Sequence, residues 1–261
     1  MRTNFFKSST PRQGHGFTLI EMAIVLIILT LVVGGALMPL NAQIEQRRRT
    51  ETQKMLEEIK EALIGFAVAN GRLPCPAIAA SNGMEDPADA AGGNACTNPN
   101  GFVPAVTLGI MPIDDHGFAI DGWGSRIRYA VTQANSNAAT TSDGIKNAVA
   151  ISSGITYTGM SAFSPDLHVC ASSTGVTTTD CGTTAGNTLT ASAPALIYSL
   201  GPNWSTGGTG NDEAENLDAD VVFVSHVPSP ATSPNGEFDD MLVWISPNIL
   251  FNRMVAAGRL P

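Results

Sequence analysis

The strongest pattern along the chain is a nearly unbroken apolar run over residues 17–40. As a helix rising about 1.5 Å per residue, this run would extend about 36 Å, more than the bilayer core of about 30 Å. A backbone in lipid must satisfy its own hydrogen bonds, so the run predicts a membrane-spanning α-helix. One carboxylate, that of Glu21, interrupts it. A charge inside such a segment is costly and normally has a function.

Apolar residues at three- and four-residue steps predict that the helix continues through residues 41–70. The predicted apolar stripe consists of Ile44, Met55, Ile59, Ala62, Leu63 and Phe66. Asn70-Gly71, followed by Pro74, is typical of a helix C-terminus. The combined helix would be about 80 Å long. We expect its second part to pack against a globular head domain formed by residues 71–261.

Short runs of β-branched and aromatic residues predict strands in the head domain. These runs cover residues 126–132, 195–200, 221–225 and 241–245. A last helix is predicted after Ser246, with Pro247 in its first turn and Gly258 at its end. Residues 133–193 are rich in Ser, Thr, Gly, Ala and Asn, which predicts long loops or thin edge hairpins. The fold class is α+β, with a long N-terminal helix on a small antiparallel sheet with loop insertions.

Charge and motifs narrow the function classes. Residues 71–261 contain six basic and 17 acidic residues, a formal net charge of −11. Such an acidic surface argues against a nucleic-acid partner. The sequence has no nucleophile elbow, Walker loop or H-E-x-x-H motif, so we expect no enzyme activity. We interpret residues 114–116, Asp-Asp-His, as a turn, and a membrane-anchored hydrolase is a distant alternative.

Four cysteines indicate disulfide bonds in an exported domain, because their number is even. They are Cys75, Cys96, Cys170 and Cys181. The four cysteines can pair in three ways. The loop lengths favour Cys75–Cys96 and Cys170–Cys181, since each bond would close a poorly structured stretch. Zinc binding is disfavoured because the cysteine spacings do not match zinc motifs.

The string GFTLIE at residues 16–21 resembles, residue for residue, the class III signal of type IV prepilins and of the pseudopilins of type II secretion. The resemblance implies that residues 1–16 are a leader peptide. It implies cleavage between Gly16 and Phe17 by prepilin peptidase, followed by N-methylation of Phe17. The apolar helix would then remain on the mature protein. The alternative interpretation is a plain signal anchor with an accidental Gly-Phe pair.

The same resemblance implies that Glu21, together with Thr18, serves subunit assembly. A buried carboxylate costs several kcal/mol unless it is paired. In the family this acid meets the terminal amine of a neighbouring subunit, which would fix the stagger between subunits as a buried polar residue fixes register in a coiled coil. The alternative is that the Glu21 side chain reaches out to the membrane interface.

Two motifs of the head domain resemble the major pseudopilin. One is DGWG at residues 121–124 with Tyr129 in the following strand, and the other runs from Ser199 into an acidic, glycine-rich loop. That family's loop holds one calcium ion, an ion that takes about six to eight oxygen ligands. The implied ligands here are Leu200, Asn203, Asp212, Asp218 and Asp220. Asn203 stands where the family usually has an aspartate. The alternative to a calcium site is an acidic loop exposed to solvent. No cofactor other than this calcium ion is expected.

The resemblance thus implies a structural subunit of a type II secretion pseudopilus, assembled through its N-terminal helix for protein export. A minor pilin of a type IV pilus, for motility or adhesion, and a pilus-borne adhesin are the alternatives. The implied partners are the prepilin peptidase and methyltransferase, other pilin or pseudopilin subunits, an inner-membrane assembly platform and membrane lipid. The implied location is a single pass of the bacterial inner membrane with the head in the periplasm, then a filament. Basic residues on both sides of residues 17–40 leave orientation undecided by charge alone.

Overall fold

The computed structural model describes residues 16–87, 95–149, 162–208 and 210–260, with the backbone alone for residues 33–40. Except for Gly16, the predicted leader lies outside these residues. The chain divides into two compact units, an N-terminal unit of Met1–Gln46 and a head unit of Arg47–Pro261. The fold is α+β, as predicted.

One long helix and several short ones are present in the described residues. The long helix, α1, covers Leu19–Asn70 and contributes residues to both units. The shorter helices are α2 (Ala105–Leu108), α3 (Ala134–Asn137), α4 (Gly144–Val149), α5 (Asn211–Glu215) and α6 (Pro247–Ala256). Helix α1 ends where the sequence predicts, because Gly71 adopts a left-handed φ of 73° and its N–H donates to the Ala67 carbonyl.

Seven described strands form two sheets in the head unit. They are β1 (Asn100–Phe102), β2 (Arg128–Val131), β3 (Leu167–Cys170), β4 (Thr188–Ala193), β5 (Ala195–Ser199), β6 (Val222–Val224) and β7 (Met241–Ile245). The first sheet is antiparallel, in the order β1-β2-β5-β7. The second has the order β4-β3-β6, and β3 pairs antiparallel with β4 but parallel with β6.

The antiparallel sheet of the head unit has apolar side chains on both faces, because successive residues of a strand point to opposite sides. All five residues of β5 are buried. One face packs with α1 and α6 in a cluster that includes Leu56, Ile59, Leu63, Tyr129, Ile197, Val243, Leu250 and Met254. The other face packs with the second sheet in a cluster that includes Leu167, Val169, Leu196, Tyr198 and Phe223. The head unit therefore has three layers: helix, sheet and sheet.

The predicted stripe on α1 is correct from Met55 to Phe66. Ile59 and Leu63 are fully buried, and Met55, Ala62 and Phe66 are half-buried. Ile44 is exposed, contrary to the prediction. The buried face also includes Thr52, Leu56, Ile64 and Ala67, which the stripe omits.

The four predicted strands are confirmed as β2, β5, β6 and β7, and the last helix is confirmed as α6 with Ser246 as its N-cap. The prediction for residues 133–193 is wrong in one respect. Strand β3 lies in the middle of the second sheet and not at an edge, because β4 and β6 pair with its two sides. Residues 150–161 of that region lie outside the described part of the chain.

The disulfide bonds are Cys75–Cys96 and Cys170–Cys181, the pairing that the loop lengths favour. The second bond starts at the end of β3 and lies in a small cluster with Val222, Val224 and Phe238. The first bond joins two irregular segments at buried positions, and the second fixes an irregular loop to β3.

Candidate functional site

The N-terminus of α1 has a reciprocal cap formed by two of the predicted site residues. The Glu21 N–H donates to Thr18 Oγ1 at 3.3 Å, and the Thr18 N–H donates to Glu21 Oε2 at 3.4 Å. This arrangement is a capping box, which satisfies two N–H groups that a helix start leaves without partners. The helix begins at Leu19 and not at Phe17, because Thr18 serves as its N-cap.

The capping role was missed by the sequence reasoning, although its signal was present. Thr18 and Glu21 have the spacing T-x-x-E immediately before an apolar run, which is the sequence signature of a capping box. The Thr18 N–H bond uses Oε2, so Oε1 of Glu21 can accept a hydrogen bond from another group.

The two residues at the predicted cleavage site, Gly16 and Phe17, are sterically accessible. A Cβ added to Gly16 would meet no heavy atom within 4 Å, and Phe17 is 77% exposed. The large apolar side chains from Leu19 to Val32 are all exposed, with Leu19 at 90% and Leu31 at 71%. Among the described residues, no helix combines the length and the apolar character needed to span a membrane.

The DGWG motif forms a turn that packs against α1 within the head unit. Asp121 Oδ1 accepts hydrogen bonds from the N–H groups of Trp123 and Ser125, each at 2.9 Å. Burial raises the pKa of Asp121 above its usual value. Gly122 donates to Thr52 Oγ1 at 3.0 Å, and a Cβ there would lie 2.7 Å from the Arg48 carbonyl oxygen. Glycine is therefore required at this close approach.

The predicted calcium ligands fall into three places. Asp218 and Asp220 lie with Glu215, with ligand oxygens of the three residues within 4.8 Å of one another. Burial, together with the charges of Asp218 and Asp220, raises the pKa of Glu215 to about 7. This acidic turn, defined as Glu215, Asp218 and Asp220, is the part of the predicted site that has the chemistry of a cation site.

Asp212 lies outside the acidic turn, where it joins three segments of the head unit. Its Oδ1 accepts hydrogen bonds from the Ser173 N–H at 2.7 Å and the Ser173 hydroxyl at 2.6 Å. Asn235 donates to the same oxygen at 3.0 Å, and His226 Nε2 lies 3.1 Å from Oδ2. The carboxylate is almost fully buried, so its contacts indicate a structural role.

Asn203 lies beside a second acidic group, which is buried and whose members tertiary packing brings together. Its side-chain amide donates to Glu213 Oε1 at 3.0 Å, and the Asp239 N–H donates to the same oxygen. Glu213, Asp239 and Asp240 have carboxylate oxygens within 4.8 Å of one another. Burial, with the charges of Glu213 and Asp239, raises the pKa of Asp240 to about 7. These acids come from distant sequence positions, so spacing alone gave no signal.

Residues 114–116 form a turn stabilised by Asp114. Asp114 Oδ1 accepts hydrogen bonds from the N–H groups of His116 at 3.0 Å and Phe118 at 2.8 Å, and Oδ2 accepts one from Arg126 Nε at 2.7 Å. His116 and Asp115 are exposed. The Asp114 carboxylate therefore serves the local backbone and one ion pair.

Residues 11–37 match a known family, described as the prokaryotic N-terminal methylation motif. This motif is the class III signal of type IV pilins and pseudopilins, so the resemblance of the N-terminal segment is confirmed. The motif implies a membrane-anchored precursor that prepilin peptidase processes and that assembles with other pilin subunits. The comparison with curated proteins found no match, and neither did the comparison with solved structures.

Proposed function

We propose that this chain is a structural subunit of a type II secretion pseudopilus. The observation that carries the assembly role is the methylation motif at the start of an apolar, exposed helix. Cleavage after Gly16 would create a new amine at Phe17 and leave that helix on the mature protein. The chain supplies a core helix, and the energy for assembly comes from partner proteins on the inner-membrane platform.

Glu21 gives this proposal its mechanism. In the structure Oε2 of Glu21 caps the helix, and the side chain is exposed. In a filament the apolar helices exclude water, so the carboxylate needs a cationic partner. We propose that the methylated amine of a neighbouring subunit pairs with Glu21 while Oε2 keeps the capping bond. The pair would set the stagger between adjacent helices.

The head motifs favour a pseudopilus over a type IV pilus. DGWG fixes the head unit to α1 through Gly122 and Thr52, and Tyr129 donates a hydrogen bond to the Pro74 carbonyl at 3.1 Å. These are the residues whose pattern resembles the major pseudopilin. The disulfides fit an oxidising periplasm. We infer a single-pass inner-membrane precursor with a periplasmic head, membrane lipid as its surroundings and no catalytic activity.

Mass spectrometry of the protein recovered from cells tests the proposal first. We expect a mature chain that begins with N-methylated Phe17. A chain that still begins at Met1, or one released by a cut beyond residue 40, would contradict it. Deletion of the gene then separates the assemblies: loss of enzyme secretion indicates a pseudopilus, loss of twitching motility indicates a type IV pilus, and loss of adherence alone indicates an adhesin.

A further inference from the structure

A cavity of about 430 Å³ in the head unit has two arginines and an exposed tryptophan in its wall. We call it the arginine pocket, lined by Phe102, Asp114, Arg126, Arg128, Leu200 and Trp204. Arg128 is the first residue of β2, and Arg126 lies two residues before it in extended backbone, so both side chains reach the wall of the same cavity. None of these residues belongs to the methylation motif or to the predicted calcium ligands except Leu200.

Aromatic rings hold both guanidinium groups in place. The Arg126 guanidinium carbon lies 4.3 Å from the centroid of the Phe118 ring, and that of Arg128 lies 5.4 Å from the centroid of Phe102. The two phenyl rings contact each other edge to face at 5.2 Å. Stacking on aromatic faces lowers the mobility of the guanidinium fork, which suits it to bidentate recognition of a carboxylate.

The charges of the two arginines are balanced to different degrees. Arg126 forms an ion pair with Asp114. Arg128 forms none of the ion pairs found among the described residues, and its guanidinium interacts with the Tyr198 hydroxyl and, more weakly, with the buried Asp240. Arg126 and Arg128 are two of only six basic residues in 71–261, where the net charge is −11. The pocket is therefore a local positive site on an acidic surface.

With the exposed Trp204 beside its arginines, the pocket has residue types that are typical of protein–protein interfaces. It is 44% exposed in the turn after β5. Tryptophan and arginine dominate the residues that contribute most to binding at protein interfaces. A carboxylate on Arg128, with its apolar stem on the Trp204 ring, would use both.

The acidic turn, in contrast, concentrates negative charge. The close approach of its three carboxylates, together with partial burial, is unfavourable when all are ionised. Asp218 is exposed, so it is accessible to a partner. A cationic group from outside would relieve this repulsion, and every copy of the chain presents one in its arginine pocket.

We propose that the arginine pocket of one copy binds the acidic turn of a second copy of this chain. The proposal rests on the proposed function as an assembling subunit. The contact joins two different surfaces, which makes it heterologous, the kind that can repeat along a filament. It turns the repulsion between two acidic heads into an attraction in one orientation.

Photo-crosslinking of the full-length chain in cells tests the contact. One copy carries benzoylphenylalanine in place of Trp204, and a second copy carries an epitope tag. We expect a crosslink to residues 211–220 of the tagged copy. Arg128→Glu in the first copy, or Asp218→Arg in the second, should lower the yield at least about fivefold, and the two changes together should restore it. Arg253→Glu and Asp180→Arg are the matched controls, since both residues are exposed and neither lines the arginine pocket or belongs to the acidic turn.

Cleavage after Gly16 and filament assembly are measured in the same cells, so the two proposals fail separately. An unprocessed precursor contradicts the proposed function. Normal processing and assembly without a crosslink to the acidic turn, or with a yield unaffected by the charge reversals, overturns the contact between copies. A crosslink to a different protein overturns it as well. Asp218→Asn, at an exposed position, repeats the test if Arg128→Glu prevents folding.

Discussion

The N-terminal unit and the head unit differ in where their apolar side chains lie. Leu19 is 90% exposed and Leu31 71%, whereas Leu56 and Leu63 on the same helix are fully buried in the head unit. The head unit thus covers its own apolar surface. The apolar surface of the N-terminal unit is left for lipid or for other subunits to cover. We therefore expect the N-terminal unit to mediate association between subunits and the head unit to provide the stability of the fold.

The largest expected effect separates association from folding. Glu21→Ala should leave processing intact and abolish filament incorporation, because an unpaired amine would remain in the apolar core. The measurement is the ratio of filament to membrane-bound protein. Glu51→Ala, an exposed acid of the head unit on the same helix, is the control.

Thr18→Ala distinguishes the two roles of Glu21. It removes one half of the capping box, at a cost of about 1 kcal/mol, but keeps the carboxylate. We expect reduced rather than abolished incorporation. Equal losses for Thr18→Ala and Glu21→Ala would mean that capping, and not pairing between subunits, is the function of Glu21.

A large loss of stability is expected from a buried ion pair of the head unit. Arg72 contacts Glu85 through two hydrogen bonds of 2.8 Å each, and the Cys75 N–H donates to Glu85 Oε2. Glu85→Ala would leave the Arg72 charge buried and should lower the free energy of unfolding by about 3–5 kcal/mol. Urea unfolding of the detergent-solubilised chain measures this.

The matched control for that prediction is an exposed pair on α1. Lys54 and Glu58 lie 3.5 Å apart, and both side chains are exposed. Glu58→Ala should change the free energy of unfolding by less than about 0.5 kcal/mol. A loss from Glu85→Ala no greater than that of the control would show that the buried pair adds nothing.

The pH dependence of stability should also come from the head unit. The pKa of Asp240 is raised from its usual 3.8 to about 7 by burial and by the charges of Glu213 and Asp239. Between these values the folded chain holds a proton that the unfolded chain has released, so stability should fall as pH rises from about 4 to about 7. Asp240→Asn keeps an acceptor for Asn216 and should reduce this slope.

Unfolding measured at several pH values in EDTA gives the slope. Glu215→Gln provides a second variant, because the pKa of Glu215 is also raised to about 7 and its loss should reduce the slope in the same direction. A stability that rises across this range, or a slope that neither variant changes, would contradict the assignment.

The smallest expected effect is calcium binding. Calcium added to the full-length chain as a detergent-solubilised monomer, in which no second copy covers the acidic turn, should give a heat of binding and raise the melting temperature by a few degrees, because a ligand of the folded state stabilises it. Asp218→Asn and Asp220→Asn should remove this gain, whereas Asp115→Asn should not. No heat and no gain in melting temperature would leave the acidic turn as a solvated loop.

The sequence predicted best where local residues decide the structure. Strand β7 has the predicted bounds, Met241–Ile245, because apolar and aromatic residues follow one another and turn residues flank them. The GFTLIE signal was readable because an enzyme must recognise it as a linear string. The Thr18–Glu21 cap was readable by the same logic and was missed.

Prediction failed where distant residues decide the structure. Strand β3 has the sequence Leu-His-Val-Cys in a region of small polar residues, and it is central only because β6 pairs with it from more than 50 residues away. The buried group of Glu213, Asp239 and Asp240 is likewise a product of tertiary packing. The predicted calcium ligands all lie between residues 200 and 220, but the structure separates Asp212 from Asp218 and Asp220.

The Asp212 carboxylate links three segments of the head unit, so these segments should unfold together. Asp212 receives hydrogen bonds from Ser173 in the disulfide loop and from Asn235, and it contacts His226. Loss of that carboxylate would release all three segments at once. Their backbone amides should therefore exchange with deuterium at a common rate, as one cooperative unit that opens before the central sheet does.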